Sequence, residues 1–146
     1  MLKFSLARLR GFMLIIVLVI SMDWGVKHLV IPLLGITPEV YNPTPPNMYY
    51  LGALLTAGML LSTFSRSTLL LLFAGLLCGG AAANLLDAQL FGPVADFIRR
   101  PFSDYYCNLA DLALYFSFIP LTIYLFRGLL RNSFALPAFS SLRGRS

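Results

Sequence analysis

Four apolar runs, at about residues 9–30, 47–64, 68–90 and 108–126, constrain this chain more than any other feature in it. Each approaches the ~20 residues that an α-helix needs to cross the hydrocarbon core of a bilayer. Within lipid the backbone must satisfy its own hydrogen bonds, and a helix does so inside one segment. Composition agrees: 58% of the 146 residues are hydrophobic and only 12% charged, with a mean hydropathy of +0.79. A soluble domain carries roughly 25% charged residues. The expected architecture is an all-α integral membrane protein of four transmembrane helices. It forms a single membrane domain over residues 1–146, with short extracytoplasmic loops and a basic tail at 127–146.

Punctuation between the runs supports that division. Lys3, Arg8 and Arg10 precede the first run in the manner of a secretory signal. No small-residue cleavage site follows, and Asp23-Trp24 arrives where one would be needed, so the first helix is expected to be retained. Pro32, Pro38, Pro43, Pro45 and Pro46 mark a loop outside the hydrocarbon, because proline lacks the amide donor that a helix interior requires. Tyr49 and Tyr50 open the second run at interfacial depth. Residues 65–67 are a short hydrophilic turn, and residues 91–106 read as a polar and aromatic loop.

Placing Lys and Arg gives the orientation. With four spans, Lys3, Arg8, Arg10, Arg66, Arg127, Arg131, Arg143 and Arg145 fall on one side, and Lys27, Arg99 and Arg100 on the other. The richer side should be cytoplasmic, so both termini are expected inside. All six acids then lie at or near the outer face: Asp23, Glu39, Asp87, Asp96, Asp104 and Asp111. The net charge of +5 does not imply nucleic acid, since the basic residues flank apolar runs and form no patch interleaved with aromatics. Cys78 and Cys107 make no disulfide or metal framework and are expected to pack as small apolar residues.

Four of the six acids crowd into residues 79–112, where one pattern occurs twice. Asn84-Leu85-Leu86-Asp87 and Asn108-Leu109-Ala110-Asp111 each set Asn and Asp three apart, on one helix face. Between them stands Val94-Ala95-Asp96-Phe97. An ionisable group in a membrane span costs about 2.5–3.5 kcal/mol on insertion scales and usually faces the bundle interior. Two carboxylates held close in a partly dry site share a proton. One can then take a proton from water while the other gives one to the substrate. Other routes have little material: His28 is the sole histidine, no His or Cys spacing supports zinc, and the phosphate-binding glycine patterns are absent. Plain structural readings stand beside these. An Asp at a helix start is often a cap, Asp104 can be merely solvated, and Asp23 and Lys27, four apart, can be a simple helix ion pair.

These residues resemble signal peptidase II, the lipoprotein signal peptidase family. The family's third-helix signature, G-G-x-x-G-N-x-x-D-R, is similar to Gly79-Gly80-Ala81-Ala82-Ala83-Asn84-Leu85-Leu86-Asp87-Ala88. Its V-V-D-F element corresponds to Val94-Ala95-Asp96-Phe97, and its F-N-x-A-D element to Cys107-Asn108-Leu109-Ala110-Asp111. Its D-Q-x-T-K motif is similar to Asp23-Trp24-Gly25-Val26-Lys27. The departures are Ala88 for Arg, Ala83 for Gly, Trp24 for Gln and Val26 for Thr. In addition, a shortened, proline-rich loop keeps only Asn42 as a counterpart of the R-N-x-G-A-A-F segment.

The resemblance implies an intramembrane aspartic endopeptidase. It would remove signal peptides from lipidated prolipoproteins, cutting before the diacylglyceryl-cysteine, without a cofactor. Asp96 and Asp111 would be catalytic, with Asn84, Asp87, Asn108, Asp23, Lys27 and Asn42 supporting the site or the substrate. The protein would be a monomer among the lipids of the bacterial inner membrane, its active site facing outward. Two other readings remain open: a non-catalytic relative acting as a scaffold or lipid-binding protein, and an ion-coupled transporter using Asp87 and Asp111. The transporter reading lacks an inverted repeat of spans.

Overall fold

The computed structural model describes residues 6–35, 40–41, 47–64 and 67–134. Asn42, residues 65–66 and the tail from 135 onward lie outside the described residues.

Three helices are long and apolar enough to cross a membrane: Leu6–Leu33, Thr68–Leu90 and Leu109–Gly128, with a shorter apolar helix at Met48–Thr63. The first comprises α1 (Leu6–Gly25), a π-helical turn (Val26–Val30) and α2 (Ile31–Leu33). The others are α3 (Met48–Phe64), α4 (Thr68–Leu90) and α5 (Leu109–Phe134). An apolar helix stands at each of the four expected positions, three of them long enough to span, and the fold is that of an all-α membrane protein. Two boundaries differ from the sequence reading. The first helix runs on to Leu33, with Pro32 in its last turn directly after the π-helical stretch, where the missing amide forgoes one backbone bond near the helix end. The fourth runs on to Phe134, so the first eight residues of the expected basic tail are helical.

Helix α4 is the hub, packed against α1, α3 and α5. Its small residues make that possible, since helices in lipid associate through close contact more than through a hydrophobic drive. A Cβ on Gly79 would stand 2.7 Å from Val19 on α1, and one on Gly80 would stand 2.5 Å from the carbonyl oxygen of Ala110 on α5. Adjacent glycines thus admit one helix on each side. Phe12, Leu71, Ala74 and Cys78 form one buried cluster, and Leu70, Leu77 and Leu121 another. Large apolar side chains on the outside of α1 and α5, such as Leu14, Val17, Phe116 and Ile119, are exposed, as lipid-facing positions should be.

The stretch between α4 and α5 is not an unstructured loop. Ala95–Asp96 (β2) pairs antiparallel with Val40–Tyr41 (β1), and Ile98–Arg99 (β3) with Tyr106–Cys107 (β4). Phe97 N donates to Cys107 O and Arg100 N to Tyr105 O, extending the second ladder on both sides. Phe102, at its tip, is fully exposed and holds a positive φ of 61°. This hairpin returns the chain from Asp96 to Asn108 and so brings the two side by side.

Candidate active site

Two polar clusters form at the end of the bundle where α4 finishes and α5 begins. The first is an ion cluster. Lys27 Nζ lies 2.6 Å from Asp23 Oδ2 and 2.5 Å from Asp87 Oδ2, and all three residues are buried. The i, i+4 pair expected from sequence exists. It is also bridged to α4, sixty residues away, a partnership that nothing local in the sequence announces. His28 Nε2 stands 3.6 Å from Asp87 Oδ1. The His28 ring meets Trp24 and Phe91 at centroid distances of 5.4 and 4.7 Å, so aromatic rings border this cluster.

Asp23 serves a second purpose. Its Oδ1 accepts a hydrogen bond from Ala110 N at 2.9 Å, satisfying one of the orphan amides in the first turn of α5. Asn108, immediately before α5, accepts from Asp111 N at 2.8 Å, the geometry of an N-cap. The cap of α5 is therefore Asn108. Asp111 occupies the first turn, where the helix dipole favours a negative charge.

The second cluster contains the two repeated motifs. Asn108 Nδ2 donates to Asp96 Oδ1 at 2.7 Å and is 3.1 Å from Asn84 Oδ1. Asn84 Nδ2 in turn donates to Asp111 Oδ1 at 2.8 Å. The two asparagines thus link the two aspartates through a continuous hydrogen-bonded path. Asn84, Asp96 and Asn108 are buried, while the Asp111 side chain keeps 21% of its surface accessible. Burial, and then the Asp111 charge, push the Asp96 carboxyl up to about 6, against smaller opposing effects of the Asn108 hydrogen bond, Lys27 and Arg100. Burial likewise raises the Cys107 thiol, as expected of a cysteine packed as a small apolar residue.

Of the eight residues singled out from sequence, Asn84, Asp96, Asn108 and Asp111 meet in this second cluster. Asp23, Lys27 and Asp87 meet in the first, and Asn42 lies outside the described residues. Asp104 is exposed on the hairpin, 3.6 Å from Arg99, as a solvated residue would be. Sequence reasoning missed Arg100. Its Nη2 lies 3.9 Å from Asp111 Oδ2, and its guanidinium carbon 5.2 Å from the centre of the Tyr115 ring. The available signal was that Arg99 and Arg100 are the sole cations between Asp96 and Asp111. An open cleft of about 470 Å³ lies on the hairpin, between Arg99 and Asp104, and neither clustered aspartate lines it. Among the described residues no three His, Cys, Asp or Glu side chains are arranged to hold a metal ion.

Helices, ion cluster and linked aspartates together define a multi-pass membrane protein with a polar site at one end of its bundle. The family model for signal peptidase (SPase) II matches residues 47–127, more than half of the chain. The chain belongs to the signal peptidase II family, a family of aspartic peptidases found in bacterial membranes. A solved structure of a bacterial membrane enzyme, obtained in meso, is similar at a TM-score of 0.63 and 21% identity. The match covers 81% of this chain and 88% of that one, and it shows a shared fold. No curated protein sequence matches.

Proposed function

We propose that the protein is an aspartic endopeptidase that removes signal peptides from lipidated prolipoproteins, cleaving before the diacylglyceryl-cysteine. Asp96 and Asp111 are its catalytic pair. What supports this reading, beyond the family, is the path Asp96–Asn108–Asn84–Asp111, which couples two carboxylates at the end of a membrane bundle. One carboxylate takes a proton from water as it attacks the scissile carbonyl. The other delivers its proton to the carbonyl oxygen. The first, now protonated, passes the water-derived proton to the departing amine while the second takes a proton back from the tetrahedral diol, which returns the pair to its starting state. The asparagines orient both groups; Asp23, Lys27 and Asp87 hold the first turn of α5 beneath them. The substrate's acyl chains and apolar helix remain in lipid, and their burial supplies binding.

The chain works as one membrane domain and as a monomer. It sits in the bacterial inner membrane with both termini in the cytoplasm and the site facing outward, an orientation supported by the Lys and Arg distribution. Asn42 contributes to substrate handling.

The test is a gel-shift assay in detergent with a diacylglyceryl-modified prolipoprotein. The parent should cleave it, and folded Asp96→Asn and Asp111→Asn variants should not. Ala88, where the family signature carries Arg, favours a second reading, a non-catalytic scaffold or lipid-binding relative. A folded parent that leaves a competent substrate intact would decide for that one.

A further inference from the structure

The aspartate pair has an uneven setting, and one side chain outside the family's motifs stands on one side of it only. Asp96 is buried and accepts from the neutral Asn108 amide. Asp111 is more open, accepts from Asn84, and has a guanidinium at its second oxygen. Arg100 is held in place by three independent features. Its backbone amide donates to Tyr105 in the hairpin, its cation lies over the Tyr115 ring, and its side chain reaches the Cys107 thiol. At 3.9 Å from the carboxylate, and with a buried Nε that has no hydrogen-bond partner, it is an electrostatic neighbour rather than a closed bidentate pair.

The chain also lacks the arginine that the family signature carries at position 88. Position 88 lies one turn beyond Asn84 on the same face of α4, and Asn84 touches Asp111. The hairpin therefore brings a cation to a carboxylate that α4 contacts one turn before the position without that arginine.

We propose that Arg100 is a positioning residue that keeps Asp111 as the ionised member of the pair and leaves Asp96 as the member that carries the proton. The assignment deepens the peptidase reading and rests on it for its catalytic meaning: Asp111 becomes the base that activates water, and Asp96 the acid. Environments that separate two carboxyl groups in this way set their roles. The other titratable groups facing the pair are Lys27, Cys107 and Tyr115. Lys27 is already engaged by Asp23 and Asp87, and Cys107 and Tyr115 are neutral at physiological pH, so Arg100 is the cation available to bias the pair.

The experiment reads the carboxyls directly. Full-length protein labelled with ¹³C at the Asp carboxyl carbon is titrated by NMR in detergent micelles, with Asp96→Asn and Asp111→Asn assigning the two resonances. In Arg100→Met the lower step of the pair should move up by about one pH unit, a tenfold change in proton affinity. Arg100→Lys should retain most of the parent value. Arg100→Gln serves the same purpose as Met should the methionine variant not fold. A lower step that stays within about 0.3 units of the parent in a folded variant overturns the proposal.

Because the titration needs no substrate, it is decided even where the peptidase reading fails in its own assay. Where the parent cleaves, Arg100→Met should lower kcat about tenfold at unchanged KM and move the acid limb of kcat/KM to higher pH. A raised KM at unchanged kcat and unchanged limb would instead make Arg100 a substrate contact and remove the assignment.

Discussion

The two polar clusters each hold a pair of carboxylates and share helix α4, and they differ in what faces those carboxylates. Around Lys27, a buried ammonium lies between two buried carboxylates, with contacts at 2.6 and 2.5 Å. Around Asn84 and Asn108, two carboxylates are joined through neutral amides, and the nearest cation stops at 3.9 Å from one of them. The first arrangement sets a cation in direct contact with both carboxylates and holds helices together. The second leaves negative charge incompletely compensated, which costs stability and makes a proton available to be moved. Asn84 and Asp87 are three residues apart on α4, yet one serves the reactive pair and the other the brace. Residue type and spacing could not separate those roles; the sign and distance of the facing charge does.

The comparison breaks most sharply at Asp111. In Asp111→Asn the amide can still accept from Asn84, so the fold should persist while cleavage falls by about 10³-fold or more, measured by substrate turnover beside thermal melting in detergent. If a folded Asp111→Asn protein cleaves at the parent rate, the open cluster is structural too and the contrast disappears. The reciprocal change is Lys27→Met, which removes the one cation of the brace. Two buried carboxylates then face each other without compensation, and the loss of stability should be roughly 3–5 kcal/mol. Measured by unfolding in mixed micelles, this variant should lose the folded state before its activity can be assessed. A smaller loss would mean that water or His28 already supports Asp87.

The steps the sequence made legible were those resting on local pattern. The four apolar runs gave the spans, because lipid enforces helices wherever about 20 apolar residues occur together. The repeated N-x-x-D units and the intervening Asp96 held the whole second cluster and Asp87 of the first, while Asp23 and Lys27 stood four apart in the first run. Three contributions were not legible, each because the contact is made at long range. Lys27 meets Asp87 across sixty residues, Asp23 meets the Ala110 amide across 87, and Arg100 reaches Asp111 through a hairpin whose strands are only two residues long. No strand periodicity can be read from two residues, so residues 91–106 looked like plain loop. The basic residues after Phe126 looked like the end of the bundle. Arg127 and Arg131 instead lie within α5, where charge suits a helix emerging from lipid.

Both clusters depend on α4 and α5 lying close, which gives a milder perturbation common to them. In Gly80→Ala the new methyl group would stand 2.5 Å from the Ala110 carbonyl and 3.0 Å from Leu114 Cγ. The obstacle is partly backbone, so the first turn of α5 must shift. A loss of up to about 3 kcal/mol is expected, together with a fall in cleavage, because Ala110 adjoins Asp111. Gly11, with nothing near it, is the control, and Gly11→Ala should leave both readouts near the parent.

The smallest expected effect separates the clusters by pH. Asp96 in the folded protein titrates at about 6, above its ordinary value of 3.8. The folded state therefore holds that proton more tightly than the unfolded chain does. Its contribution to stability is complete below about 3.8 and is lost as pH rises through about 6. Asp96→Asn keeps an acceptor for Asn108 but has no charge to desolvate, so at pH 7 it should be more stable than the parent by about 1–2 kcal/mol, and the difference should vanish near pH 4. Cleavage by the parent should decline over the same upper window, since an ionised Asp96 cannot act as the acid. Melting temperatures of parent and variant between pH 4 and 8 measure the first effect, and initial rates across that range the second. A variant less stable than the parent at pH 7 would mean that the Asp96 charge is compensated as fully as those around Lys27, and that the two clusters differ in position but not in kind.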